Sequence, residues 1–161
     1  MKACFVFLFV CVLFSCSTTR YYIVRHAEKE TASTMSTDVP LSEAGKQRAT
    51  ALKEVLLHKK ITHIFSTNFK RTVATAEPLA TATNISIERY DAADSGFITR
   101  LKQTTDGNTL VVGHSNTVDE LVNGLTGKKL LQDLPDTAYG DLFIVTKHGK
   151  SYSYSKEHFG L

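Results

Sequence analysis

Four side chains decide what chemistry this chain can do: Arg25 and His26 side by side, Arg71 45 positions after His26, and His114 88 positions after it. Two guanidiniums offer planar forks of N–H donors suited to the oxygens of a tetrahedral anion. Two imidazoles can hold or exchange protons near neutral pH. Each group lies close behind an apolar run: Tyr21-Tyr22-Ile23-Val24 precedes Arg25, Ile64-Phe65 leads to the segment with Arg71, and Leu110-Val111-Val112 leads to His114. Such runs read as strands buried on both faces. In a parallel sheet their carboxyl ends share one edge, where ligands bind, so the three positions can converge on a single pocket. Helix N-termini beyond Asn68 and Ser115 would add backbone donors to it.

The elements that must hold these groups alternate between strand and helix. Lys29 to Val39 is a polar loop without periodicity. Ser42 as N-cap and Glu43 in the first turn open a helix that ends near His58, with Ala44, Ala51, Leu52 and Val55 on one face. Thr62 to Ser66 reads as a second strand, followed by a helix from Asn68 through about Thr83. Pro78 interrupts that pattern, and its missing N–H predicts a kink or break near Ala74 to Glu77. Ile85 to Tyr90 is a third strand, and Asp91 to Gln103 a loop running into a short helix. Thr109 to Gly113 is the clearest buried strand, and Val118, Leu121, Val122 and Leu125 then repeat at helical spacing. Leu142 to Thr146 and the alternating run Ser151 to Ser155 make two last strands, the second at an edge. The order predicts an α/β protein, a three-layer αβα sandwich with a mainly parallel central sheet.

Composition narrows the class. With 161 residues, 42% hydrophobic and 22% charged, the chain is one ordinary globular domain. Its formal charge of +3 comes without a block of basic residues, which excludes a nucleic-acid partner. Residues 1–15 differ from the rest: a basic start, the apolar run Ala3 to Phe14 and small residues after it read as a signal peptide too short to span a bilayer. Leu13-Phe14-Ser15-Cys16 resembles a bacterial lipoprotein cleavage box, with Phe14 where a small residue is usual. Lipidation of Cys16 as the mature N-terminus follows, leaving a single domain over 20–161. The protein is then expected to be exported, periplasmic or held at the outer membrane by its lipid, with the Tyr21 strand and the reactive edge close to the membrane. Cys4, Cys11 and Cys16 are the three cysteines, so no thiol chemistry is available to the domain. The six histidines show no recognised metal-ligand spacing.

Four segments together resemble the histidine phosphatase superfamily, whose fold is that of the phosphoglycerate mutases, acid phosphatases and short phosphohistidine phosphatases. They are IVRHAEK, with Ala27 where glycine is common, then PLSEAGKQRA, FSTNFKRTVATAEPLA and VVGHSNT, in the order the family has them. The resemblance implies a metal-independent phosphatase of the short branch acting on a phosphorylated small molecule, with no cofactor. It makes His26 the nucleophile, with Arg25, Arg71 and a protonated His114 binding the phosphoryl group. Family members place an acidic residue in the loop after the third strand, which points to Asp91 as general acid, with Glu88 and Asp94 near enough to replace it. Asn116 either donates to phosphate or merely starts a helix.

Two other readings stay open. The same fold could bind an anion without turnover. Alternatively, Gly113-His114-Ser115-Asn116-Thr117 approaches a serine-hydrolase elbow with Ser115 as nucleophile, although Thr117 occupies a position that needs glycine and the reading leaves Arg25, His26 and Arg71 without a role. Replacing Ser115 by Ala should therefore leave most p-nitrophenyl phosphate hydrolysis intact. A loss comparable to that of His26→Ala would favour the elbow instead.

Overall fold

The computed structural model describes residues 18–31 and 38–160, so the predicted leader and Cys16 lie outside the described residues. Ten elements follow in order: β1 (Thr18–Arg25), α1 (Glu43–Leu56), β2 (Ile61–Ser66), α2 (Lys70–Thr83), β3 (Ile87–Arg89), α3 (Phe97–Gln103), β4 (Asn108–Gly113), α4 (Val118–Thr126), β5 (Asp141–His148) and β6 (Ser151–His158). The strands form one sheet in the order β3-β2-β4-β1-β5-β6. Four neighbouring strands are parallel, and β5 and β6 close the far side antiparallel.

Strand β1 is buried on both faces. Tyr22 and Val24 join the core cluster beneath α1 and α2, with Leu52, Leu56, Leu79 and Leu110. Tyr21 and Ile23 point the other way, into the cluster with Leu101, Val118, Val122 and Leu125 from α3 and α4. Alternate side chains of a strand face opposite sides, so one apolar run serves both layers of helices. Among the described residues no helix is long and apolar enough to cross a membrane.

Several expected details move. The buried face of α1 is Gly45, Ala49, Leu52 and Leu56, and Ala44 is exposed. Close approach to the Glu28 backbone turns the helix: a methyl group on Gly45 would lie 2.1 Å from the Glu28 carbonyl oxygen. Ser42 does cap the helix, its hydroxyl accepting from Gly45 N–H at 3.2 Å. Pro78 does not break α2, which runs unbroken over 14 residues. An interior proline costs about 3 kcal/mol, but Ala76, Leu79 and Ala80 beside it are buried in the core. Burying a leucine alone returns about 1.5–3 kcal/mol, so packing outweighs the lost bond. Helix α4 starts at Val118, after a turn that Thr117 closes, rather than directly after Ser115.

Thr18 and Arg25 are at opposite ends of β1, roughly 25 Å apart at the rise of an extended strand, so the amino end of that strand is remote from His26.

Gly45→Ala gains about 1 kcal/mol of helix propensity but forces a methyl onto immobile backbone, a kind of overpacking that costs about 1–3 kcal/mol. We expect a net loss, read as a lower urea midpoint. An unchanged or higher midpoint would show that the α1–Glu28 contact can relax.

Candidate phosphate site at the sheet edge

Parallel pairing brings the site together. Arg25 lies opposite Gly113 in the β1–β4 ladder, and Ser66 opposite Val112 in the β2–β4 ladder. The three strands therefore end side by side, and two more bonds extend the alignment: His26 N–H to Gly113 O at 2.9 Å and Thr67 N–H to Val112 O at 3.4 Å. Glycine at 113 leaves room at this tip, since a methyl there would come within 2.6 Å of the Thr117 hydroxyl oxygen.

His26 is 4% exposed, and its Nδ1 lies 2.8 Å from its neighbour's carbonyl, Ala27 O. A carbonyl only accepts, so Nδ1 carries the hydrogen and Nε2 keeps its lone pair. Burial lowers the imidazole pKa from its ordinary value to about 3, against the Ala27 bond, with Arg71, Arg25 and His114 adding to the fall. The peptide that orients the ring is itself held: Ala27 N–H donates to the Thr75 hydroxyl at 2.9 Å, and that hydroxyl donates to Arg71 O at 2.7 Å. Thr75 thus couples the ring's support to the helix that carries Arg71.

His114 lies edge-on to His26, ring centres 5.5 Å apart. Its Nε2 is 2.9 Å from the Thr67 hydroxyl, which donates to Thr72 Oγ1 at 3.0 Å. Thr72 in turn donates to the Thr67 and Phe69 carbonyls, both at 2.9 Å. That relay makes Thr67 the acceptor toward the ring and places the hydrogen on Nε2. Nδ1 can then accept from Arg71 Nη2 at 3.4 Å. Burial, with Arg71 and Arg25 close by, lowers the pKa to about 4. Without an anion beside it, burial and the two guanidiniums therefore hold His114 neutral. An anion among them would raise it.

Both arginines are carried on aromatic faces, Arg71 4.5 Å from the Phe69 ring centre and Arg25 4.5 Å from that of Tyr139. Arg25 is 4% exposed, and its Nε has no hydrogen-bond partner among the described residues. A buried donor left so costs about 1–3 kcal/mol, which an oxygen ligand would recover.

The structure separates the three candidate acids. Asp91 lines a cleft of about 420 Å³ together with Thr67, Phe69, Arg89, Tyr90 and His114. Its Oδ1 also accepts from Ala93 N–H at 2.9 Å. Glu88 faces His63 at 3.7 Å, and Asp94 is engaged by Arg100 and by Gly96 N–H at 2.8 Å; neither lines the cleft. Asn116 is exposed and makes no hydrogen bond among the described residues; Thr117 Oγ1 takes the His114 N–H instead, at 2.8 Å. Ser115 Oγ has no hydrogen bond to an imidazole among the described residues, which deprives a serine nucleophile of its base. Sequence reading missed Thr67, Thr72, Thr75 and Tyr139. Hydroxyls inside a helical pattern carry no signal of their own, and Tyr139 sits in a stretch without periodicity. Among the described residues no group of three potential metal ligands occurs.

Histidine-resolved NMR should find His26 and His114 untitrated between pH 5 and 8. Folded pKa values below the unfolded one mean that stability is complete above about pH 6.5 and falls as the pH drops towards 4 and then 3. A midpoint near 6.5 for either ring would contradict the burial argument.

The profile of the histidine phosphatase superfamily (branch 1) matches residues 21–94, which include Arg25, His26, Arg71 and Asp91. His114 lies beyond that segment. The protein histidine phosphatase SixA, solved with tungstate, superposes with a TM-score of 0.69 at 18% identity, covering 86% of this chain and 96% of its own. A mycobacterial glucosyl-3-phosphoglycerate phosphatase gives 0.66 at 15%, covering 88% and 98%. YhfR of Bacillus stearothermophilus gives 0.65 at 18%, covering 86% and 96%. No curated protein sequence matches significantly. With the profile matching residues 21–94 and the same fold shared with these phosphatases, the chain is similar to the histidine phosphatase superfamily (branch 1), and it gathers two arginines and two histidines at one edge of that sheet.

Proposed function

We propose that the chain hydrolyses phosphoric monoesters of small molecules through a phosphohistidine on His26. The observation that carries the reading is the state of His26: a neutral ring, its Nδ1–H fixed on Ala27 O, with the Nε2 lone pair left to react beside two arginines. Arg25 and Arg71 bind the phosphoryl oxygens, and the Arg25 Nε–H gains the acceptor it lacks. Nε2 attacks phosphorus, the bond from phosphorus to the ester oxygen breaks, and Asp91 gives that oxygen a proton. Water then attacks the phosphohistidine and Asp91 takes its proton, releasing phosphate and restoring His26. His114, between Arg71 and Thr67, borders the two guanidiniums that answer the charge developing on the phosphoryl oxygens, the main requirement of phosphoryl transfer. A cation among two guanidiniums would be repelled, so the step needs no metal.

Tungstate in the SixA complex supports an oxyanion site on this fold, and the relatives named include a protein histidine phosphatase and a glucosyl-3-phosphoglycerate phosphatase. For this chain we place the substrate outside the cytosol, a small phosphoester reached by an exported protein that a lipid on Cys16 holds at a membrane.

The test is release of phosphate from p-nitrophenyl phosphate together with an acid-labile phosphoenzyme, both lost by at least a hundredfold in His26→Ala. Neither appearing in the parent protein would leave an anion-binding protein. For Asp91→Asn we expect kcat on an alkyl phosphate to fall by about 10²-fold or more, with little change on p-nitrophenyl phosphate, whose leaving group needs no acid. Equal loss on both would remove Asp91 from the acid role.

A further inference from the structure

Arg25 is gripped by a segment that neither helix nor strand requires. Residues 128–140, between α4 and β5, form no regular element. They are folded back over the site by Leu134 N–H, which donates to Ser115 O at 2.9 Å. Asn123 of α4 fixes their start, accepting from Leu130 and Leu131 N–H at 2.7 and 3.0 Å. At the tip, Arg25 Nη1 donates to Pro135 O at 2.9 Å and Nη2 to Asp136 Oδ1 at 3.3 Å, while Tyr139 covers the guanidinium face.

A guanidinium fork presents the same donors to a carboxylate as to a phosphate. We propose that Asp136 is a carboxylate stand-in for phosphate: it competes with the phosphoryl group for Arg25 and thereby sets how tightly the site holds phosphate. The inference rests on Arg25 being a phosphate ligand, as in the function proposed above. Arg25 is 4% exposed but the Asp136 side chain is 96% exposed, so water takes over the carboxylate as soon as an anion displaces it. Pro135 O and the Tyr139 ring are uncharged and can keep the guanidinium in place during the exchange. The arrangement has a use. A site with two arginines and nothing opposing them would retain its product, and product release limits many enzymes. A carboxylate returning to Arg25 helps phosphate leave.

The measurement is calorimetric titration of the full chain with inorganic phosphate at low ionic strength, in the parent, Asp136→Asn and Asp133→Asn. Asp133 is an exposed carboxylate of the same loop without the Arg25 contact. We expect Asp136→Asn alone to bind phosphate about three- to tenfold tighter, tenfold being about 1.4 kcal/mol. Product inhibition should tighten by the same factor, and added salt should shrink the difference. Unchanged or weaker binding in Asp136→Asn overturns the proposal, and so does an equal gain in Asp133→Asn, which would mark a general charge effect. The two readings fail separately: intact hydrolysis with unmoved phosphate affinity sinks only the competition, and shifted affinity without hydrolysis sinks only the catalytic function.

Discussion

The hydrogen bond from His26 Nδ1 to Ala27 O is the constraint on which the reactive edge depends. A neutral imidazole can present its lone pair at either nitrogen, and only a bound acceptor at one end decides that the other is the nucleophile. The acceptor here is a peptide carbonyl, so its direction is as fixed as the backbone that carries it. Thr75 supplies that rigidity from α2, and the His26 N–H to Gly113 bond supplies it from β4. His26, Arg71 and His114 are thereby parts of one frame: shifting any of the three elements shifts the lone pair of His26.

Electrostatics divides the labour inside that frame. Burial, with two guanidiniums close by, makes a third and fourth positive charge expensive, and both imidazoles stay neutral, their pKa values falling to about 3 and about 4. A site arranged this way is cationic without protonated imidazoles. Positive charge comes from groups that hold it at every working pH, and His26 stays neutral over the same range. The price is affinity for any anion, product included, and the carboxylate at Arg25 Nη2 bears directly on it.

The fold was readable because burial on both faces writes long apolar runs, and the site because strand ends in a parallel sheet share an edge: Arg25, His26, Arg71 and His114 follow from those two facts. What escaped reading has a common cause. Gly45 against Glu28, Thr75 under Ala27 and Asp136 on Arg25 are contacts between residues 17, 48 and 111 positions apart, made by backbone approach or by a short polar group, and no local period records them. Pro78 failed as a breaker for the related reason that a propensity penalty of a few kcal/mol is smaller than the burial of its neighbours. The strand-to-helix turn is closed by the hydroxyl of Thr117, one position past Asn116, because a β-branched hydroxyl at the buried position can both pack and accept.

The direction of β1 gives the edge a further consequence. A parallel sheet gathers the carboxyl ends of its strands on one side, so whatever tethers the amino end of the first strand tethers the side opposite the chemistry. Thr18 and Arg25 close the two ends of β1, which makes the strand a spacer of roughly 25 Å. Arg25 and His26 therefore open on the side of the sheet away from the strand's amino end, and any ligand reaching them approaches from that side.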